Sequence, residues 1–101
     1  MIVVSGEIEL DPADRDAAIA ATESVVAATL QEEGCLTYGF WADPTDPGRF
    51  RVFEEWETEA ALLAHFGQPH MTAFLETMGT LGITKSEIHR YDVVAVDLAL
   101  G

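Results

Sequence analysis

The chain has one cysteine, one lysine and no long apolar run, and each shortage removes a class of function. Cys35 alone can form neither an intramolecular disulfide nor a cysteine zinc site, which suits a reducing compartment. Lys and Arg total 5 against 18 Asp and Glu, a formal net charge of -13, so a phosphate backbone or an anionic membrane surface is repelled and no nucleic-acid partner is expected. No stretch approaches the roughly 18 apolar residues of a membrane span, and the start, MIVVSGEIEL, has no basic region before its apolar residues. These features predict a cytoplasmic protein with no membrane partner. No repeat, linker or low-complexity tract divides the 101 residues, so one domain, 1–101, is expected. Phosphate-binding glycine loops, H-E-x-x-H and His-x-His are all missing.

What is present is 49% hydrophobic content, ordered in clear periods. Met1 to Leu10 alternates, with Ile2, Val4, Gly6, Ile8 and Leu10 on one side, and reads as a strand. Asp11-Pro12 is a helix start, a capping carboxylate followed by proline at the first position, where the absent N–H costs nothing. The helix is predicted over 12–33, burying Ile19, Val26 and Leu30, with Gly34 as its left-handed stop. Cys35 to Ala42 is the second strand, with Leu36, Tyr38 and Phe40 on one face. Two prolines then force the chain to turn at 43–48. The third strand, Arg49 to Glu57, carries Phe50, Val52, Glu54 and Trp56 on one face.

Thr58 can cap a short helix that stops near Gly67, and Pro69 starts another whose buried face is Met71, Phe74, Leu75 and Met78. The last strand is predicted over Ile88 to Leu98, where Val93 to Val96 is apolar on both faces. The order β-α-β-β-α-β predicts an α+β, ferredoxin-like fold with a four-stranded antiparallel sheet and both helices on one face. The other face then needs a cover. A second copy is the economical one, and a homodimer burying Thr37, Trp41, Phe53 and Val93 is expected.

Glu33-Gly34-Cys35, Tyr38, the Asp46-Pro47 turn, Phe50, Glu54-x-Trp56, Leu62, His65, Pro69-His70 and Phe74, in this order, resemble the antibiotic biosynthesis monooxygenase family, which includes small quinol monooxygenases. The resemblance implies a dimeric α+β barrel of two ferredoxin-like subunits. It also implies oxidation of a phenolic or quinol-type aromatic by dioxygen with no metal, flavin or haem cofactor. Other branches of the family bind and degrade haem.

Such chemistry asks for an apolar cavity, a base to form the phenolate, and exclusion of water. The candidate catalytic residues are His65, Glu54 and Trp56, with His65, or Tyr38 on the neighbouring strand, as the expected partner of a half-buried Glu54. Tyr38, Phe40, Phe66, His70 and Phe74 are the candidate substrate-binding residues. Each also has a structural reading: Glu54 as a pairing carboxylate, Trp56 and Phe74 as core, and His65 as a buried donor. No metal site is expected, because His65 and His70, five residues apart, would lie about 140° apart on a continuous helix and Pro69 breaks the helix between them. Two other functions remain open: a non-catalytic module binding a small apolar ligand, and a cofactor-free isomerase or lyase.

Overall fold

The computed structural model describes residues 1–99; Leu100 and Gly101, the end of the expected domain, lie outside the described residues. Its elements are β1 (Ile2–Leu10), a 3₁₀ turn (Pro12–Asp14), α1 (Arg15–Thr29), β2 (Cys35–Ala42), β3 (Arg49–Trp56), α2 (Glu59–Phe66), α3 (Pro69–Met78) and β4 (Ile83–Asp92). The strands form one antiparallel sheet in the order β2-β3-β1-β4. This is the ferredoxin-like α+β arrangement that the element order predicts.

Local chemistry sets most of the boundaries. Asp11 accepts from the Ala13 N–H at 2.9 Å and Pro12 opens the turn that leads into α1. Thr58 accepts from the Ala61 N–H at 3.1 Å and starts α2. In the β2–β3 turn, Asp43 Oδ1 accepts from the N–H groups of Thr45 and Asp46, and the Asp43 N–H closes the hairpin on the Arg49 carbonyl at 2.9 Å.

The alternation of β1 and β3 is obeyed without a slip. Ile2, Val4, Gly6, Ile8 and Leu10 are buried, as are Phe50, Val52, Glu54 and Trp56, and these face the helices. Gly6 sits where β4 approaches so closely that a Cβ would collide with the Glu87 carbonyl and the Ile88 backbone. The core joins Val4, Leu10, Phe50 and Trp56 of the sheet to Ala18 and Val25 of α1, Leu62 of α2, and Phe74 and Met78 of α3. Each large apolar side chain buried in this way contributes about 1.5 to 3 kcal/mol.

Three expectations are corrected. Helix α1 ends at Thr29 rather than Glu33; turns occupy 30–34, and Gly34 takes its positive φ of 81° on entry to β2. Its buried face is Ala18, Thr22, Val25 and Thr29, small residues that let the helix lie close to the sheet, while Leu30 is exposed. In β2, the register shifts between Cys35 and Thr37, so Cys35 packs against the core and Leu36 turns to solvent.

The third correction concerns β4, which spans 83–92 instead of 88–98. It is an edge strand with every residue but Lys85 exposed, so its sequence carries no burial period to read. The apolar run from Val93 lies beyond the ladder, whose last bond is Val93 N–H to the Met1 carbonyl, and Val94 and Val96 are more than four-fifths exposed.

The outer sheet face is mixed rather than apolar. Glu7 bridges Arg51 and Lys85, and Glu9 pairs with Arg49 at 3.2 Å, beside Val3, Phe53 and the exposed Trp41. These intrachain pairs neutralise part of the charge on a face that remains open.

Candidate active site

A cavity of about 230 Å³ lies between the sheet and α3, closed below by Val4, Ile8 and Val52 and on the helix side by Met71, Phe74 and Met78. Tyr38, Phe40, Glu54 and Phe66 complete its wall near β2 and α2. Its rim carries Phe66, Leu75, Ile83 and Ile88, all exposed large apolar side chains. The alternation of β3 delivers Glu54 to this face, opposite Tyr38 on β2 and Val4 on β1.

Glu54 is the one charged residue lining the cavity, and it is 8% exposed. Burial pushes its pKa up to about 7, only partly opposed by the hydrogen bond that Trp56 Nε1 donates to its Oε1 at 3.0 Å; the nearby Glu32 charge adds to the rise. Burial likewise raises the pKa of the Tyr38 phenol, with the Glu54 and Glu32 carboxylates adding to it. Both groups thus keep a proton more readily than they would in water.

Trp56 is fully buried, and behind it lies His65, 1% exposed. The His65 ring packs on Trp56 with centroids 5.0 Å apart and on Tyr38 at 5.2 Å. The expected His65–Glu54 pair does not form. His65 Nδ1 is 2.7 Å from Glu32 Oε2, and the same oxygen is 2.8 Å from His70 Nε2. His65 Nε2 has no hydrogen-bond partner among the described residues.

Of the eight residues expected at the site, Tyr38, Phe40, Glu54, Phe66 and Phe74 line the cavity. Trp56 and His65 stand one layer behind it. His70 lies farther off, on a groove shared with Glu32, Gln31, Glu33 and Gln68. The sequence reading missed Glu32, which sits in a turn rather than on the predicted helix face. It also missed the β4 residues Ile83, Ser86 and Ile88, because it placed that strand too late.

The break at Pro69 does not keep the two histidines apart. Pro69 restarts the chain as a second helix, so His65 and His70 do not share one axis; their ring centroids are 6.1 Å apart. Together with Glu32 they present three ligand atoms, all within 4.8 Å of one another.

A family model described as Antibiotic biosynthesis monooxygenase matches residues 1–77, which hold every cavity and triad residue named above except those of α3's last turn and β4. The chain belongs to the antibiotic biosynthesis monooxygenase family. An uncharacterized protein of Synechocystis is 34% identical over 92 residues, covering 91% of this chain, which spans 63% of that relative's length. Probable quinol monooxygenase YgiN of Escherichia coli is 32% identical over 88 residues, covering 77% of this chain and 85% of its own. Among solved structures, a Deinococcus radiodurans protein assigned to the same family superposes with a TM-score of 0.90 at 25% identity over the whole of both chains. A crystal structure of an antibiotic biosynthesis monooxygenase gives 0.85 at 28% identity, covering 94% of this chain and 100% of its own. Among the described residues no helix is long and apolar enough to cross a membrane.

Proposed function

We propose that this member of the family is a monooxygenase that oxidises a phenolic or quinol-type aromatic with dioxygen and needs no metal, flavin or haem for it. The observation that carries this reading is a single carboxyl with a pKa of about 7 in the wall of an otherwise apolar cavity. Such a group is poised to take a phenolic proton at neutral pH. The phenolate, electron-rich and shielded from water, is then the electron donor to oxygen. For an anthrone-type substrate the balance is CH₂ + O₂ → C=O + H₂O, with both reducing electron pairs coming from the substrate. The similarity to YgiN supports a quinol-type substrate.

Glu54 is the base in this reading, since it lines the cavity and His65 does not. Trp56 holds the Glu54 carboxylate, and His65 supports Trp56 and Tyr38 by packing on both rings. Phe40, Phe66 and Phe74 bind the flat ring, and His70 acts outside the cavity. The chain works as one domain and as a homodimer in the cytoplasm; the exposed Trp41 on the open sheet face and the exposed Val94, Val96 and Leu98 support the pairing. The same carboxyl would also serve an enolising isomerase.

Oxygen uptake by chelator-treated protein with naphthols, anthrones and hydroquinones tests the reading. Turnover should exceed spontaneous oxidation, and Glu54→Gln should lower it about 10² to 10⁴-fold. A larger loss in His65→Ala than in Glu54→Gln would move the base to His65. Conversion of a carbonyl substrate without oxygen uptake would favour the isomerase. No rate above background across the panel would leave a ligand-binding module.

A further inference from the structure

Glu32, His65 and His70 come from three elements: the turn after α1, the last turn of α2 and the first turn of α3. Only the tertiary fold brings them together, and it turns His65 Nδ1 and His70 Nε2 toward one oxygen, Glu32 Oε2, with all three atoms within 4.8 Å of one another. Two imidazoles and one carboxylate make a nitrogen and oxygen set suited to Zn²⁺ and its neighbours in the divalent transition series. Ca²⁺ and Mg²⁺ take oxygen shells instead. We propose that this triad is a binding site for a divalent transition ion such as Zn²⁺, its fourth position open to the groove lined by Gln31, Glu33 and Gln68.

An ion entering the triad displaces the two hydrogen bonds to Glu32 Oε2 and needs side-chain movement. With bonds of about 2.0 to 2.2 Å, tetrahedral ligand atoms stand about 3.3 Å apart. The two hydrogen-bonded pairs at 2.7 and 2.8 Å must therefore open by about 0.5 Å each, while the two imidazole nitrogens, which the fold holds within 4.8 Å of each other, must come to about the same 3.3 Å. Glu32 lies in a turn outside any helix or strand, with its side chain 10% exposed, and the His70 side chain is 24% exposed, so the movement falls on these two residues. His65, at 1% exposure, is the fixed ligand.

Each imidazole then offers the ion the nitrogen that now faces Glu32, and its ring proton sits on the other nitrogen. For His65 that is Nε2, which has no acceptor among the described residues; the mismatch lowers affinity by about 10 to 100-fold relative to a site with that partner. The net charge of -13 works the other way by drawing cations to the chain. The ion plays no part in the oxygenation proposed above, and its binding does not depend on that reading.

Titration of chelator-treated protein with Zn²⁺, in millimolar Ca²⁺ to occupy surface carboxylates, tests the site. The expected result is one Zn²⁺ per chain, with affinity reduced at least tenfold in Glu32→Gln and in His70→Ala and unchanged in His89→Ala, a histidine outside the triad. Nitrogen-15 NMR should show the His65 proton on Nδ1 without zinc and on Nε2 with it, a change that general destabilisation does not produce. Co²⁺ in place of Zn²⁺ should give the intense visible bands of a four-coordinate ion. Equal affinity in wild type and His70→Ala, or an unmoved His65 proton on zinc addition, overturns the proposal. If the Glu32 variant does not fold, His70→Ala and the proton position decide alone.

Discussion

Trp56 Nε1, two residues along the buried face of β3, donates a hydrogen bond to Glu54 Oε1 at 3.0 Å, and among the described residues no nearby cation neutralises the carboxylate. A strand places side chains i and i+2 on the same side, so this contact comes from the local backbone alone. The indole N–H is the stabilising partner of a charge that the cavity otherwise disfavours.

Stability should therefore respond to pH through Glu54. Its folded pKa of about 7 stands above the ordinary 4.5, so the folded state holds this proton more tightly. The contribution is full below about pH 4.5 and is lost as pH rises to about 7, by about 3 kcal/mol. Glu54→Gln keeps the acceptor for Trp56 and carries no charge. Relative to wild type, the variant should gain roughly 1 to 3 kcal/mol between pH 5 and pH 8 in urea unfolding. A difference that does not change with pH would show that the carboxyl is not desolvated.

Trp56→Phe should have the opposite dependence. It removes the only hydrogen bond the Glu54 side chain makes among the described residues, a loss of about 1 to 3 kcal/mol for a buried charged acceptor, in addition to the smaller ring. The hydrogen-bond part should appear above pH 7, where Glu54 is ionised, and fade at pH 5. An equal deficit at both values would assign the effect to packing.

Cys35 should be a slow thiol. Burial, followed by the Glu32 and Glu54 charges, pushes its pKa up to about 11 from 9.0. The thiolate fraction at pH 8 falls about 100-fold, and the greater nucleophilicity of a more basic thiolate recovers about tenfold. Alkylation should therefore run at least about tenfold slower than in an unfolded cysteine peptide, and a matching rate would contradict the raised pKa.

The proposed homodimer should sediment at about 22 kDa, twice the 11.0 kDa chain, at micromolar concentration. Because the outer face carries the Glu7–Arg51 and Glu9–Arg49 pairs, Trp41→Glu should weaken association more than Arg51→Ala does. A stable 11.0 kDa species would remove the dimer and leave the sheet face to solvent.

Sequence alone determined the elements whose residues report their own surroundings. Alternation placed Glu54 beside Trp56 on the buried face of β3, and capping chemistry placed the starts of the 3₁₀ turn and α2, because those relations are local. Periodicity failed where burial did not discriminate. The exposed edge strand β4 offered no pattern, and the apolar run at Val93 to Val96 suggested a strand beyond the end of the ladder. The bulge at Leu36 reversed the expected faces of Cys35 and Leu36, because register belongs to the pair of strands and not to either strand alone. Tertiary structure alone decided that His65 meets Glu32 and not Glu54. The two partners are 33 positions apart, and only the approach of the turn after α1 to α2, where Gly34 lies against Ala61, brings a turn carboxylate within 2.7 Å of a buried imidazole.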